Sequence, residues 1–258
     1  MCMLKSGLIL KDDVFIPDYD SHEEMIKELK LKDDGQNTNF IRAEFSPPDG
    51  DVFAPIDTWK LKIDQDILPK WYATEIDNER FIAAVREWVK KHVITGGVVD
   101  EIKDGVFYIK DATIKNVCGS ATIEYVHGSA MIKNVCGSAM IKNVCGSATI
   151  EYVHGSAMIK NVYDNATIEY VHGSATIEHV YDNAMIEYVY DNATIEYVHG
   201  SAMIKNVCGS ATIKNVCDSA IIITYKTLDS KISGDALIID RANKVIYHAS
   251  DFRKVKRS

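Results

Sequence analysis

The side chains best suited to chemistry recur at a fixed interval. Five cysteines (Cys118, Cys136, Cys145, Cys208, Cys217), four histidines (His127, His154, His172, His199) and three tyrosines (Tyr163, Tyr181, Tyr190) are spaced by nine residues or a multiple of nine. Thiolate and imidazole are zinc ligands, but zinc needs four donors converging on a tetrahedron, and an even interval supplies a straight row. No metal is expected there. A calcium-binding nonapeptide would need paired glycines and a regular aspartate, whereas Asp-Asn occurs in only three copies. Asp64 and Asp66 lie two apart on a predicted strand and share a face, as a catalytic pair would and as solvated carboxylates commonly do. No glycine pattern fits a phosphate, and no Ser, Cys or Lys stands beside a base in a catalytic context. The chain therefore reads as no enzyme, with no catalytic residue, no metal and no cofactor. An enzyme in the N-terminal segment would need a concave pocket around Asp64, Asp66, Trp71 and His92.

The interval itself is the main structural signal. From Asp111 to Asp218, twelve nonapeptides follow the pattern x-Ala-(Thr/Met)-Ile-(Lys/Glu)-(Asn/Tyr/His)-Val-(Cys/His/Tyr)-(Gly/Asp). A helix would turn its apolar stripe by half a revolution per copy, because nine residues make about 2.5 turns. A strand accepts Ala-x-Ile alternation and β-branched residues, and Gly-Ser or Asp-Asn at the junction suits a left-handed corner. One strand buries almost nothing, so stability must come from stacking copies. The expected fold is mainly β: a β-solenoid, or parallel β-helix, of nine-residue repeats with 18 residues per coil. Three copies per coil remain open. Position eight then forms two columns, Cys118, Cys136, His154, His172, Tyr190, Cys208 on one edge and His127, Cys145, Tyr163, Tyr181, His199, Cys217 on the other.

Residues 1–94 have another texture, with all three Trp and all five Pro. They predict a small α+β domain: strands at GLIL and VFIP, a helix in SHEEMIKELKLKDDG capped by Ser21 with Glu24, and two further strands in NFIRAEFSPPDGD and DTWKLKIDQD about a Pro-Gly loop. A second helix in NERFIAAVREWVKKHV aligns Phe81, Val85, Trp88 and Val89. Residues 95–110 read as linker and entry strands, 111–218 as the repeats, and 219–258 as a β cap with a turn at Asp240 to Asn243 and a basic tail, RKVKRS.

The run WKLKIDQDILPKWY, through Trp59, Asp64, Asp66, Pro69, Trp71 and Tyr72, resembles a segment of uncharacterised phage and mobile-element proteins in which such a domain precedes short repeats. The similarity spans residues 40–92. The repeats are similar in architecture to bactofilins and pentapeptide-repeat proteins, although their nine-residue unit differs from the five-residue period of the latter. These likenesses imply a solenoid and carry no function across.

Charge completes the reading. The chain carries 29 Lys and Arg against 37 Asp and Glu, a net −8, which disfavours nonspecific attraction to nucleic acid or anionic membrane. The N-terminus has no apolar run of signal-peptide length, so a cytoplasmic location is expected, with the cysteines as thiols. Residues 156–200 hold one lysine against seven acids. The expected binding surface is Tyr163, Asp164, Glu169, Tyr170, Glu178, Tyr181, Asp182, Glu187, Tyr188, Tyr190, Asp191, Glu196 and Tyr197, because acidic rows with tyrosines suit a basic protein surface. The expected partner is a protein, basic or nucleic-acid-binding; the resemblance of residues 40–92 to phage proteins implies a host factor, met by an inhibitor or nucleic-acid mimic. Direct contact with nucleic acid or membrane is not expected. Self-assembly into an oligomer or filament scaffold is the alternative.

Overall fold

The structure, a computed structural model, describes residues 4–33, 39–249 and 254–256, and the chain divides into two units, 1–93 and 94–258. In the first unit, β1 (Lys5–Leu10), β2 (Val14–Phe15), β3 (Phe40–Ser46) and β4 (Lys60–Ile63) form an antiparallel sheet in the order β2-β1-β3-β4. Helices α1 (His22–Glu28) and α2 (Thr74–His92) cover opposite faces of it. Leu8 packs with Met25, Ile26 and Phe40 on the α1 side. On the other side a Cβ on Gly7 would come within 2.8 Å of Phe81 in α2. With both faces covered, β1 is buried from Lys5 to Ile9.

The helix starts follow their capping chemistry. Ser21 Oγ accepts the Glu24 N–H at 3.3 Å, as the sequence predicts. The helix ends at Glu28, well before the predicted Gly35, and residues 34–35 lie outside those described. In α2 the buried face is Asp77, Phe81, Val85, Trp88 and His92, whereas Val89 is only half-buried. Polar groups share this face because each finds a partner. Asp77 accepts the Ala73 N–H at 2.8 Å, and the His92 ring stacks on Trp88 with centroids 4.6 Å apart.

The second unit is the solenoid. It opens with β5 (Val93–Thr95), β6 (Val98–Ile102) and β7 (Val106–Lys110). The twelve copies follow as β8 to β19, one strand each, from Thr113–Val117 to Thr212–Val216. Even-numbered strands build one sheet and odd-numbered strands the other. Ile132 pairs with Ile114 below and Ile150 above, so each coil holds two copies and 18 residues. That register settles the choice between two and three copies per coil. The ladder continues through β20 (Ile221–Thr224), β21 (Lys231–Ile232) and β22 (Leu237–Asp240). There the even sheet turns antiparallel, through β23 (Val245–His248) and β24 (Lys254–Lys256). Asp240 anchors the predicted turn by accepting the Asn243 N–H at 3.0 Å. The basic tail lies outside the described residues except for the β24 backbone.

Every Ala, Ile and Val of the twelve copies at positions two, four and seven is at most 2 % exposed. At about 1.5–3 kcal/mol for each fully buried Ile or Val, this interior outweighs any surface column. Simple alternation cannot bury residues three apart, as Ile and Val are. The strand accommodates them by leaving positions five and six both on the outer side, and the ladder register skips position five. Positions nine and one form the corner turn, with φ between 55° and 69° at position nine. Glycine takes that conformation without strain, and aspartate is among the few other residues that tolerate it.

Aspartate does more than tolerate the corner. Asp164 accepts the Gly146 N–H at 2.9 Å, and Asp191 and Asp218 accept those of Gly173 and Gly200 at 3.2 and 3.1 Å. Gly119, by contrast, has no room for a side chain, since a Cβ there would lie 2.5 Å from the Lys103 carbonyl oxygen. Gly119→Ala should therefore lower unfolding stability by about 1–3 kcal/mol. Gly155→Asp, which recreates the Asp191 arrangement two rungs lower, should stay within about 0.5 kcal/mol of the parent. Denaturant melts of the two variants check both.

Candidate protein-binding surface

Because positions five and six face outward together, each coil sets a charged residue beside a polar or aromatic one on each sheet. Lysine comes with asparagine, and glutamate with tyrosine or histidine. On the even sheet the rungs run Lys115-Asn116, Lys133-Asn134, Glu151-Tyr152, Glu169-Tyr170, Glu187-Tyr188, Lys205-Asn206. Three acid–tyrosine rungs thus stack without interruption between lysine rungs. The rings of Tyr152, Tyr170 and Tyr188 lie face to face, 5.0 Å apart at each step. Tyr152 and Tyr188 are each 38 % exposed. Desolvation first, then the neighbouring phenols and Glu169 and Glu187, pushes the Tyr170 hydroxyl pKa up, so this phenol stays neutral near pH 7.

The glutamates beside them form a like-charge column. Lys205 Nζ lies 3.8 Å from Glu187, at the edge of an ion pair, whereas Glu151 and Glu169 have no cationic partner within 4 Å among the described residues. The odd sheet is arranged differently. Its rungs run Glu124-Tyr125, Lys142-Asn143, Lys160-Asn161, Glu178-His179, Glu196-Tyr197, Lys214-Asn215. Lys142 pairs with Glu124 at 2.6 Å and Lys214 with Glu196 at 2.5 Å. Acid and base there neutralise each other one coil apart.

The thirteen residues expected to form one surface therefore lie on four sides of the solenoid. Glu169, Tyr170, Glu187 and Tyr188 stand on the even sheet, and Glu178, Glu196 and Tyr197 on the odd sheet. Tyr163, Asp164, Tyr181 and Asp182 occupy the corner that follows odd strands, and Tyr190 and Asp191 the corner that follows even ones. Sequence reasoning missed Glu151 and Tyr152, which complete the even block. The signal was available in every second copy, since neighbours in space are 18 residues apart.

Both predicted position-eight columns are present. Tyr163 stacks on Tyr181 at 5.1 Å and Tyr181 on His199 at 4.9 Å. Cys145 is buried in that corner, and desolvation raises its thiol pKa. In the other column His154 stacks on His172 at 5.2 Å and His172 on Tyr190 at 4.9 Å. The cysteine expectation needs one correction: Cys118 and Cys136 form a disulfide, while Cys145, Cys208 and Cys217 are free. The register brings the two Cα atoms within 4.7 Å, inside the bridging range, so stacking alone suffices to pair identical positions. The corner depression lined by Gly146, Ser147, Asp164, Asn165, Asp182, Asn183, Gly200 and Ser201 is shallow and polar.

Of the residues considered for an N-terminal pocket, Asp64 and His92 lie on opposite sides of the sheet. Glu44 pairs across the sheet with Lys62, whose ammonium reaches Asp64, on the α1 side. His92 belongs to the opposite, α2 side, where its Nε2 lies 3.5 Å from Asp18. No helix among the described residues is long and apolar enough to cross a membrane. No protein family, curated protein or solved structure matches this chain. The likeness of residues 40–92 to phage and mobile-element proteins thus has no relative behind it, and the solenoid stands on its own geometry.

The stacked histidines give a pH prediction. Desolvation, then the neighbouring His172, lowers the His154 pKa below its ordinary 6.5. Between the folded and unfolded values the unfolded chain binds more protons, so this group's contribution to stability is present above pH 6.5 and is lost as pH falls below it. His154→Asn should flatten the decline in melting temperature between about pH 7.5 and 5.5, relative to the parent, in paired thermal scans.

Proposed function

We propose that this chain is a non-enzymatic protein-binding module and that the even-sheet block, Glu151, Glu169 and Glu187 beside Tyr152, Tyr170 and Tyr188, receives a basic segment of a partner protein. The observation that carries this reading is the contrast between the two sheets. Glutamates on the odd sheet are paired with lysines one coil away at two of three positions, whereas Glu151 and Glu169 repel each other with no cation within 4 Å among the described residues. Like charges directly opposite in a sheet are destabilising. An incoming Lys or Arg relieves that repulsion, and the exposed tyrosine edges add contact area from side chains already held in place by stacking. The flanking Lys133 and Lys205 rungs bound the footprint to three coils and disfavour a basic segment sliding past them.

In this reading the protein works in the cytoplasm as an inhibitor or tether, of the kind a phage carries against a host factor, by covering a basic surface. Binding is then strongly salt-dependent, because the attraction acts between exposed charges. Labelled Lys/Arg-rich peptides give a direct test by fluorescence anisotropy. Glu151→Gln, Glu169→Gln and Glu187→Gln together should weaken binding by about tenfold or more, while the odd-sheet pair Glu124→Gln and Glu196→Gln should change it by less than about twofold. Equal effects from both sets would mean that only net charge matters, and the site assignment would fail.

A further inference from the structure

The first unit brings together, from three separate elements, side chains that the sequence leaves far apart. His22 is the first residue of α1, Glu44 lies in the middle of β3, and Asp64 directly follows β4. One ring nitrogen of His22 and one carboxylate oxygen each of Glu44 and Asp64 all lie within 4.8 Å of one another. Donors about 2.1 Å from a tetrahedral zinc stand about 3.4 Å apart, so closure onto an ion needs only a small shift. Asp64 and His22 are partly exposed and can supply it.

The surroundings hold these donors in place. His22 Nε2 lies 3.3 Å from the Ala43 carbonyl oxygen, and a proton donated there leaves a lone pair on the other ring nitrogen. A backbone carbonyl fixing the second ring nitrogen in this way is the usual support of a metal-bound histidine. The Asp64 N–H donates to the Arg42 carbonyl at 2.9 Å. The next residue, Gln65, accepts the Arg42 N–H at 2.9 Å and donates to the Ile67 carbonyl at 2.8 Å, which pins the turn carrying the carboxylate. A cation already lies between the two acids: Lys62 Nζ is 2.7 Å from Asp64 and 3.6 Å from Glu44. Its side chain is 63 % exposed and free to swing into solvent. The other nearby cation, Arg42, is engaged by Asp33 at 2.6 Å.

We infer that His22, Glu44 and Asp64 form a three-donor site for a divalent metal ion of the zinc class, with the Lys62 ammonium standing in for the ion when none is bound. One nitrogen and two carboxylates suit zinc, cobalt or manganese better than calcium, which takes six to eight oxygens. Water completes the shell. No spacing in the chain connects Asp64 with His22; the antiparallel register of β3 and β4 and the position of α1 do.

Calorimetric titration of zinc alone into the chelator-treated full-length chain tests this. One ion per chain should bind, and His22→Ala or Asp64→Asn should each weaken that binding by about tenfold or more. Lys62→Gln removes the competing ammonium and should tighten it severalfold. A Cys208→Ser, Cys217→Ser double variant should leave it unchanged, which separates this site from the corner thiols. Thermal melts establish that each variant is folded, and the zinc-dependent rise in melting temperature should vanish in His22→Ala alone of the folded single variants that keep both carboxylates. Zinc uptake that follows the cysteines, that ignores His22, or that is absent even in Lys62→Gln would overturn the assignment.

Discussion

In this solenoid every side chain of the repeat has its own counterpart as nearest neighbour, one rung above and one rung below. The 18-residue coil fixes that relation, and the backbone ladder holds the rungs about 4.8 Å apart. Each position is therefore judged by how well a residue tolerates a copy of itself at that distance. Alanine, isoleucine and valine tolerate it best, since stacked methyl groups fill space without polar conflict, and those residues make the interior. Tyrosine and histidine rings stack face to face, with centroids near 5 Å. Asparagine finds hydrogen bonds: Asn134 Nδ2 donates to Asn116 Oδ1 at 3.2 Å, and Asn161 does the same to Asn143. Cysteine can close a covalent bond with its copy. Only the charged residues are penalised by repetition.

The corner adds a second constraint that shapes the same columns. Position nine must be left-handed in every copy, which restricts it to glycine or aspartate, and aspartate recovers part of its conformational cost by accepting an N–H from the adjacent coil. Acidic corners thus arise from backbone accounting as well as from surface chemistry. This weakens the case for Asp164, Asp182 and Asp191 as partner contacts. Carboxylates that already hold a backbone N–H have less to offer a ligand than Glu151 and Glu169, which have no cationic partner among the described residues.

Much of this was legible in the sequence, because the repeat states its own geometry. The invariant Ala, Ile and Val, the Gly or Asp corner and the incompatibility of nine with a helical period lead to a stacked strand architecture and to both position-eight columns. The disulfide was harder to foresee, since spacing shows that Cys118 and Cys136 are neighbours but their expected redox setting argued for thiols. The placement of positions five and six on one outer side was hidden, because it depends on how the strand absorbs an odd step between Ile and Val. That single local adjustment sets glutamate beside tyrosine. In the first unit, the Phe81, Val85 and Trp88 stripe of helix α2 is legible in its spacing, but the burial of Asp77 and His92 is not, because they enter the core through partners, Ala73 and Trp88, that polarity alone does not reveal. The His22, Glu44, Asp64 trio depends on a sheet register, which no periodicity records.

Copy order matters more than composition for the surface of such a protein. Both sheets carry three Glu rungs and three Lys rungs over the twelve copies, yet one neutralises two of its acids and the other gathers all three into an uninterrupted column. Nothing in the fold distinguishes the two arrangements, since the interior is the same at every rung. A gain or loss of one nonapeptide would transfer every later copy to the opposite sheet and rebuild both columns, whereas a gain or loss of two would preserve them. Preservation of an uninterrupted acidic column therefore requires copies to be exchanged in pairs, even though the hydrophobic core would accept them singly at any internal position. The outer face thus carries information that the core neither needs nor protects.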